Sequence, residues 1–141
     1  MSGTGRILAV DPGKVRLGLA ISDADRRISS PLQTYTRVNA EQDARFFREL
    51  LLSEDVKQIV VGLPVHSDGH EGEQAQKARA FGKWLVDVTG LAVSFWDESF
   101  TTWEAEGHLL AAGLTQKRRK ARRDQLAAQI LLQAYLEAGC P

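Results

Sequence analysis

Three acidic positions in this chain stand where a hard metal ion could be held. Asp11 ends the apolar run at 7–10 and is followed at once by Pro12 and Gly13. Asp97 and Glu98 close a second apolar run at 92–96. Asp124 shares a helical register with Ala127, Ala128, Leu131, Leu132 and Tyr135, so an acid lies on a face made for packing. A carboxylate at the end of a buried strand must be solvated, paired or bound to a cation, because an isolated buried charge is costly. Carboxylates that converge on a sheet edge form an oxygen-only site for hard divalent cations. Two such ions roughly 3.5–4 Å apart can activate water and stabilise the leaving oxygen of a phosphodiester.

Each acid also has a plainer explanation. Asp-Pro-Gly is a common turn sequence, and an acid pair after a strand can simply cap it in solvent. If a final helix spans 124–138, Asp124 sits in its first turn, where the helix dipole favours negative charge. That accounts for the charge but not for its place on the packing face. Strand alternation puts Ser94, Trp96 and Glu98 on one side and Val93, Phe95 and Asp97 on the other. Either Asp97 or Glu98 can therefore join a given face, but not both. If their strand runs parallel to that of Asp11 as its neighbour, the acids meet at one edge, where α/β sites form. Gly13 clears space beside the first acid, and Gly18 permits close approach of a second backbone.

Cationic residues cluster beside the third acid. Lys117, Arg118, Arg119, Lys120, Arg122 and Arg123 directly precede Asp124. Lys and Arg total 18 and Asp and Glu total 18, so overall charge implies no partner and the local excess carries the information. A basic segment at the mouth of an acidic site can hold phosphates in register. Lys14 and Arg16, close to Asp11, join it as candidate nucleic-acid contacts. His66 and His70 flank Asp68 with a thin zinc-like spacing, and His108 falls on an expected helix. Neither a Walker-type Gly-x-x-x-x-Gly-Lys loop nor a Gly-x-Ser-x-Gly elbow is present.

The elements that must position these groups follow from periodicity. Strands are expected at 6–10, 17–22 and 32–36. Asn39 and Gln42 mark the start of a helix carrying Phe46, Phe47, Leu50 and Leu51. The continuous apolar run at 58–62 reads as a strand covered on both faces. A helix over 71–88 presents Ala78, Phe81, Leu85 and Val88 and ends at Gly90. After the strand at 92–96, Thr101 and Glu104 open a helix that ends near Gly113, the basic segment follows, and the last helix closes the order. A hairpin-type opening followed by βα alternation implies a mixed sheet, antiparallel in one part and parallel in the other. At 141 residues the chain is expected to be one α/β domain. One cysteine, Cys140, excludes an internal disulfide and a cysteine-based zinc site. No apolar run reaches the ~18 residues of a membrane span, and no signal-peptide layout is seen, so a cytoplasmic location is expected.

In four blocks the sequence resembles the YqgF/RuvX family of RNase H-like nucleases, across nearly its whole length. They are residues 11–20; Gly62, Leu63 and Pro64 with Asp68, Gly69 and Glu71; residues 97–102; and Asp124 with Ala127, Ala128, Ile130, Leu131 and Leu132. The resemblance implies an RNase H-like fold, with a mixed five-stranded sheet and helices on both faces, over 1–141. It implies a Mg²⁺- or Mn²⁺-dependent endonuclease that acts in 5′-end processing of precursor 16S ribosomal RNA, in resolving Holliday junctions, or both. Carried over, Asp11, Glu98 and Asp124 are the catalytic metal ligands, and this selects Glu98 over Asp97. Ser99 stands where the family usually has Arg. Ala127 stands where the related RuvC resolvases carry a further acid.

Two other readings compete. An ATP-using relative of the sugar kinase and actin group would need a second domain around its nucleotide. A non-catalytic nucleic-acid-binding module, in transcription or ribosome assembly, would need the basic segment but not the acids. No base-reading motif is recognisable, so structured DNA or RNA is the expected partner. Symmetric cleavage of a four-way junction would further require a homodimer.

Overall fold

The computed structural model describes residues 4–13, 15–64, 71–98 and 116–141, with side chains from 122 onward in the last stretch. Lys14, His66, Asp68, His70, Ser99, His108, the Thr101/Glu104 box with its helix, and the side chains of Lys117, Arg118, Arg119 and Lys120 lie outside the described residues. Five strands, β1 (Arg6–Pro12), β2 (Arg16–Ser22), β3 (Ser29–Thr36), β4 (Val56–Leu63) and β5 (Val93–Asp97), form one sheet in the order β3-β2-β1-β4-β5. The β1/β2 and β2/β3 pairs are antiparallel, and β1/β4 and β4/β5 are parallel. The mixed sheet expected from the sequence is thus present.

Alternation along β1 divides the core in two. Leu8 and Val10 point toward Phe47 of α1 (Ala40–Ser53) and Phe81 and Leu85 of α2 (Glu73–Thr89). Ile7 and Ala9 point the other way, to Ala128, Leu131, Leu132 and Tyr135 of α3 (Gln116–Glu137). Helices cover both faces, as expected. Asn39 caps α1 by accepting from the Gln42 N–H at 2.8 Å, and Gly90 ends α2 in the left-handed conformation at φ 72°.

Three expectations are corrected. The strand expected at 32–36 begins at Ser29, because Pro31 is tolerated on an edge strand beside a bulge between Leu19 and Ala20. The strands bearing Asp11 and Glu98 are not neighbours, since β4 runs between them, parallel to both. The last helix starts at Gln116 rather than at Asp124, so the backbone of the basic segment forms its first turns instead of a loop. Lys and Arg are good helix formers, and their charges hid no breaker. Asp124 therefore lies more than two turns into α3, where the helix dipole no longer favours it.

Candidate active site

All three acids are brought to one face of the sheet, at the C-terminal ends of its parallel strands. Asp11 follows Ile7 and Ala9 in alternation and so faces α3. Trp96 also packs on this side, edge-on to Tyr135 with ring centroids 5.6 Å apart. Glu98 shares the parity of Trp96, whereas Phe95 packs on the α1/α2 side and Asp97 goes with it. The Glu98 N–H donates to the Leu63 carbonyl at 3.2 Å, which ties the residue to β4 just past the end of β5. Of the adjacent pair it is Glu98 that meets Asp11.

Two glycines make this meeting possible. Gly62 lies on β4 between the two acid-bearing strands, and a Cβ there would strike the Glu98 carboxylate. Its bare backbone lets Glu98 reach across β4 toward Asp11. Gly18, paired with Asp11 across the hairpin, plays the corresponding part for α3: a Cβ there would fall on the backbone carbonyl of Asp124. The close approach expected at Gly18 is thus the contact that seats Asp124. Gly13 acts differently, since a Cβ there would crowd the Arg16 carbonyl across the turn rather than the acid.

One guanidinium stands among the three carboxyls of the site. The Asp11 carboxyl is held well above the ordinary aspartate range, first by burial, then by its hydrogen bond with Glu98, then by the negative charges of Glu98 and Asp124. Asp124 accepts from Arg16 Nε at 3.1 Å through Oδ2. Arg16, expected to touch nucleic acid, is thus joined to the third acid. Among the described residues no three acid, imidazole or thiol groups are gathered closely enough to hold an ion as they stand. Asp11 and Glu98 hold each other, and Asp124 is drawn toward Arg16. The donor set nonetheless fits a hard divalent cation. It is all oxygen and anionic, and the acids crowd one another enough to hold the Asp11 carboxyl above its ordinary range. Arg122 is exposed and Arg123 half-buried on the turn of α3 before Asp124. A cavity of about 250 Å³ opens at the same edge on the other face, with Pro12, Gly13, Arg37, Pro64 and Lys77 in its wall. Among the described residues no carboxylate lines it.

Sequence reasoning missed the partnership of Arg16 with Asp124, and nothing local signals a pair 108 residues apart. It also left Gly62 without a role, although a glycine at the end of a buried strand does signal close approach.

The family model described as RuvX, Holliday junction resolvase, matches residues 5–138. This chain belongs to the RuvX family. A RuvX relative from Rhodopirellula baltica, named "Putative pre-16S rRNA nuclease", is 43% identical over 135 residues, covering 96% of this chain and 78% of its own. One of the same name from Dictyoglomus thermophilum is 39% identical over 134 residues, covering 95% and 96%. Among solved structures, T. thermophilus RuvC in complex with a Holliday junction substrate superposes with a TM-score of 0.58 at 16% identity, over 96% of this chain and 95% of that one. The Fowlpox virus resolvase in complex with Holliday junction DNA gives 0.60 at 11% identity, over 96% and 99%. At such identities the superpositions speak for the fold, which is RNase H-like.

Proposed function

We propose that residues 1–141 act as one divalent-metal-dependent endonuclease domain. It hydrolyses phosphodiester bonds in structured nucleic acid, as in 5′-end processing of precursor 16S ribosomal RNA or in resolution of branched DNA. The observation that carries this reading is the Asp11–Glu98 carboxyl pair, with the charge of Asp124 acting on it, on one face at the ends of the parallel strands. Asp11, Glu98 and Asp124 would hold Mg²⁺ or Mn²⁺. When bound, such ions activate water and stabilise the leaving oxygen of a phosphodiester. Because burial and its acidic neighbours hold the Asp11 carboxyl above its ordinary range, occupancy by a cation would be favoured as pH rises. Gly62 leaves room for the Glu98 carboxylate and Gly18 for the Asp124 backbone, so both acids can approach Asp11. Lys14, Arg16, Lys117, Arg118, Arg119, Lys120, Arg122 and Arg123 supply positive charge for phosphates near the acids. Such contacts fix the backbone path without reading bases.

The test is cleavage with Mn²⁺ of a four-way junction, a linear duplex, single strands and a precursor ribosomal RNA fragment, by wild type and Asp11→Asn. Structured substrates are expected to be cut in preference, and Asp11→Asn to abolish cutting while still binding. Cleavage by a folded Asp11→Asn protein at the wild-type rate would overturn the three-acid site. A second reading, a binding module without catalysis in transcription or ribosome assembly, draws on the Arg16–Asp124 pair, which satisfies the third acid without any cation. Binding without cleavage on every substrate would favour it. Symmetric paired cuts in the junction would support a homodimer acting on DNA.

A further inference from the structure

The ion pair between Arg16 and Asp124 joins two residues whose backbones are fixed relative to each other. Arg16 begins β2 and lies two residues before Gly18, on the same face of the strand. Asp124 is seated on Gly18 through its backbone carbonyl. A Cβ at Gly13 would crowd the Arg16 carbonyl, and across the sheet Arg16 pairs with Thr36 of β3. The side chains meet because the strand and helix that carry them are already in contact. They are not two long surface groups that happen to touch.

The pair is nevertheless open to exchange. The Arg16 side chain is 39% exposed and that of Asp124 26%, so water reaches both. Only Nε is engaged, at 3.1 Å. The two terminal nitrogens of the guanidinium have no hydrogen-bond partner among the described residues. Asp124 is too far into α3 to be stabilised by the helix dipole, and its charge lies close enough to act on the Asp11 carboxyl. A cation entering among the three acids would take over the neutralisation of Asp124. The guanidinium would then be freed at the edge where the scissile phosphate must lie. Its planar fork matches phosphate oxygens as well as it matches a carboxylate.

We propose that Arg16 is an exchangeable counter-ion. It neutralises Asp124 while the acids hold no divalent cation, and it passes to a phosphate oxygen of the nucleic-acid strand once they do. The inference rests on the proposed metal-dependent nuclease reading and adds to it a coupling between the two ligands. Cation binding releases Arg16 for the strand, and a strand that has captured Arg16 leaves Asp124 open to the cation. By linkage each ligand must raise the affinity for the other by the same factor. No covalent step is involved.

The experiment separates this exchange from a structural role. Mn²⁺ binding without nucleic acid is measured by calorimetry for wild type, Arg16→Gln, Arg16→Lys and Asp11→Asn. Affinity for a four-way junction is measured with chelator and with Ca²⁺, for wild type and both Arg16 variants. Removing the competitor should tighten Mn²⁺ binding of Arg16→Gln about threefold to fivefold, the size expected of a partly exposed ion pair. Junction affinity of that variant relative to wild type should fall further in Ca²⁺ than in chelator, by a similar factor. Arg16→Lys, which keeps the charge without the fork, should lie between in both measurements, and it serves alone if Arg16→Gln does not fold. Weaker or unchanged Mn²⁺ binding by the variants overturns the exchange and leaves Arg16 a positioning residue for Asp124. Equal junction losses with and without Ca²⁺ also overturn it. Absence of Mn²⁺ binding in wild type and Asp11→Asn alike would instead defeat the metal site itself, and the exchange with it.

Discussion

Replacing Gly18 by alanine should injure the protein twice, in stability and in activity, through a single methyl group. The added Cβ would fall on the carbonyl oxygen of Asp124, with the Asp124 Cα only 3.0 Å away. Both obstacles are backbone, so no side-chain rotation relieves the clash and α3 must lift from β2. Overpacking of this kind costs about 1–3 kcal/mol, and a backbone obstacle argues for the upper end. The loss of glycine's freedom in the unfolded chain returns about 0.4–1 kcal/mol, which leaves a net cost of roughly 2 kcal/mol. For a chain of this size that corresponds to a fall in Tm of about 4–8 °C. The same lift carries Asp124 away from Asp11 and Glu98, and a displacement of about 1 Å at reacting groups lowers turnover by about 10²-fold. Gly82→Ala provides the control. There a Cβ would meet the ring of Phe95 on the α1/α2 side, so stability should suffer while the acids stay in place. Thermal melts and Mn²⁺-dependent cleavage at a temperature where all three proteins are folded decide the matter. A Gly18→Ala protein with wild-type Tm and full activity would refute the seating of α3; equal activity losses in both variants would refute its link to the site.

Other expectations follow from the acids and from the buried network behind β3. Folded Asp11 keeps a proton that the unfolded chain has lost above its ordinary pKa near ~4, so stability of the metal-free protein should fall as pH rises from there toward the raised folded value. Asp11→Asn should flatten that decline in Tm, and parallel profiles would contradict the buried carboxyl pair. Glu98→Gln should abolish Mn²⁺ binding and cleavage while Asp97→Asn leaves both measurable, since Asp97 belongs to the opposite face; the reverse result would reverse the assignment. Tyr35 donates to buried Asp43 at 2.7 Å, and burial, then the hydrogen bond and charge of Asp43, push its phenol up to about 12. Tyr35→Phe should cost roughly 1–3 kcal/mol in urea unfolding by leaving Asp43 short of a donor, and no measurable loss would show that Val38 and Arg37 satisfy it alone.

What could be read from the sequence was whatever period and local chemistry encode. The α3 face was legible because Ala127, Ala128, Leu131, Leu132 and Tyr135 recur at helical spacing, and all are buried. The caps of α1 and α2 were legible because Asn39 and Gly90 act on their own helix ends. Alternation along β5 correctly set Glu98 and Asp97 on opposite sides. Strand order was not legible, because nothing in 92–98 states that β4 will lie between that strand and β1. The start of α3 was lost because six cations in seven residues resemble a solvated segment although each favours helix. Closeness of Arg16 to Asp124 depends on how a hairpin and a distant helix meet, and no window of sequence contains both.

Among the described residues, α3 alone covers the face of the sheet on which the acids sit. It is also the last of these elements to leave the ribosome. Until it docks, Ile7, Ala9, Ala20 and Val60 have no cover there, and Asp11 and Glu98 lack their third partner. Docking joins segments as far apart as Ser29 and Gln129, 100 residues, a slow kind of step because chain entropy is lost before contacts compensate for it. Hydrophobic closure and assembly of the acids are therefore the same event in time. A partly synthesised chain carries two of the acids without the third, so the proposed site exists only once the chain that bears it has folded.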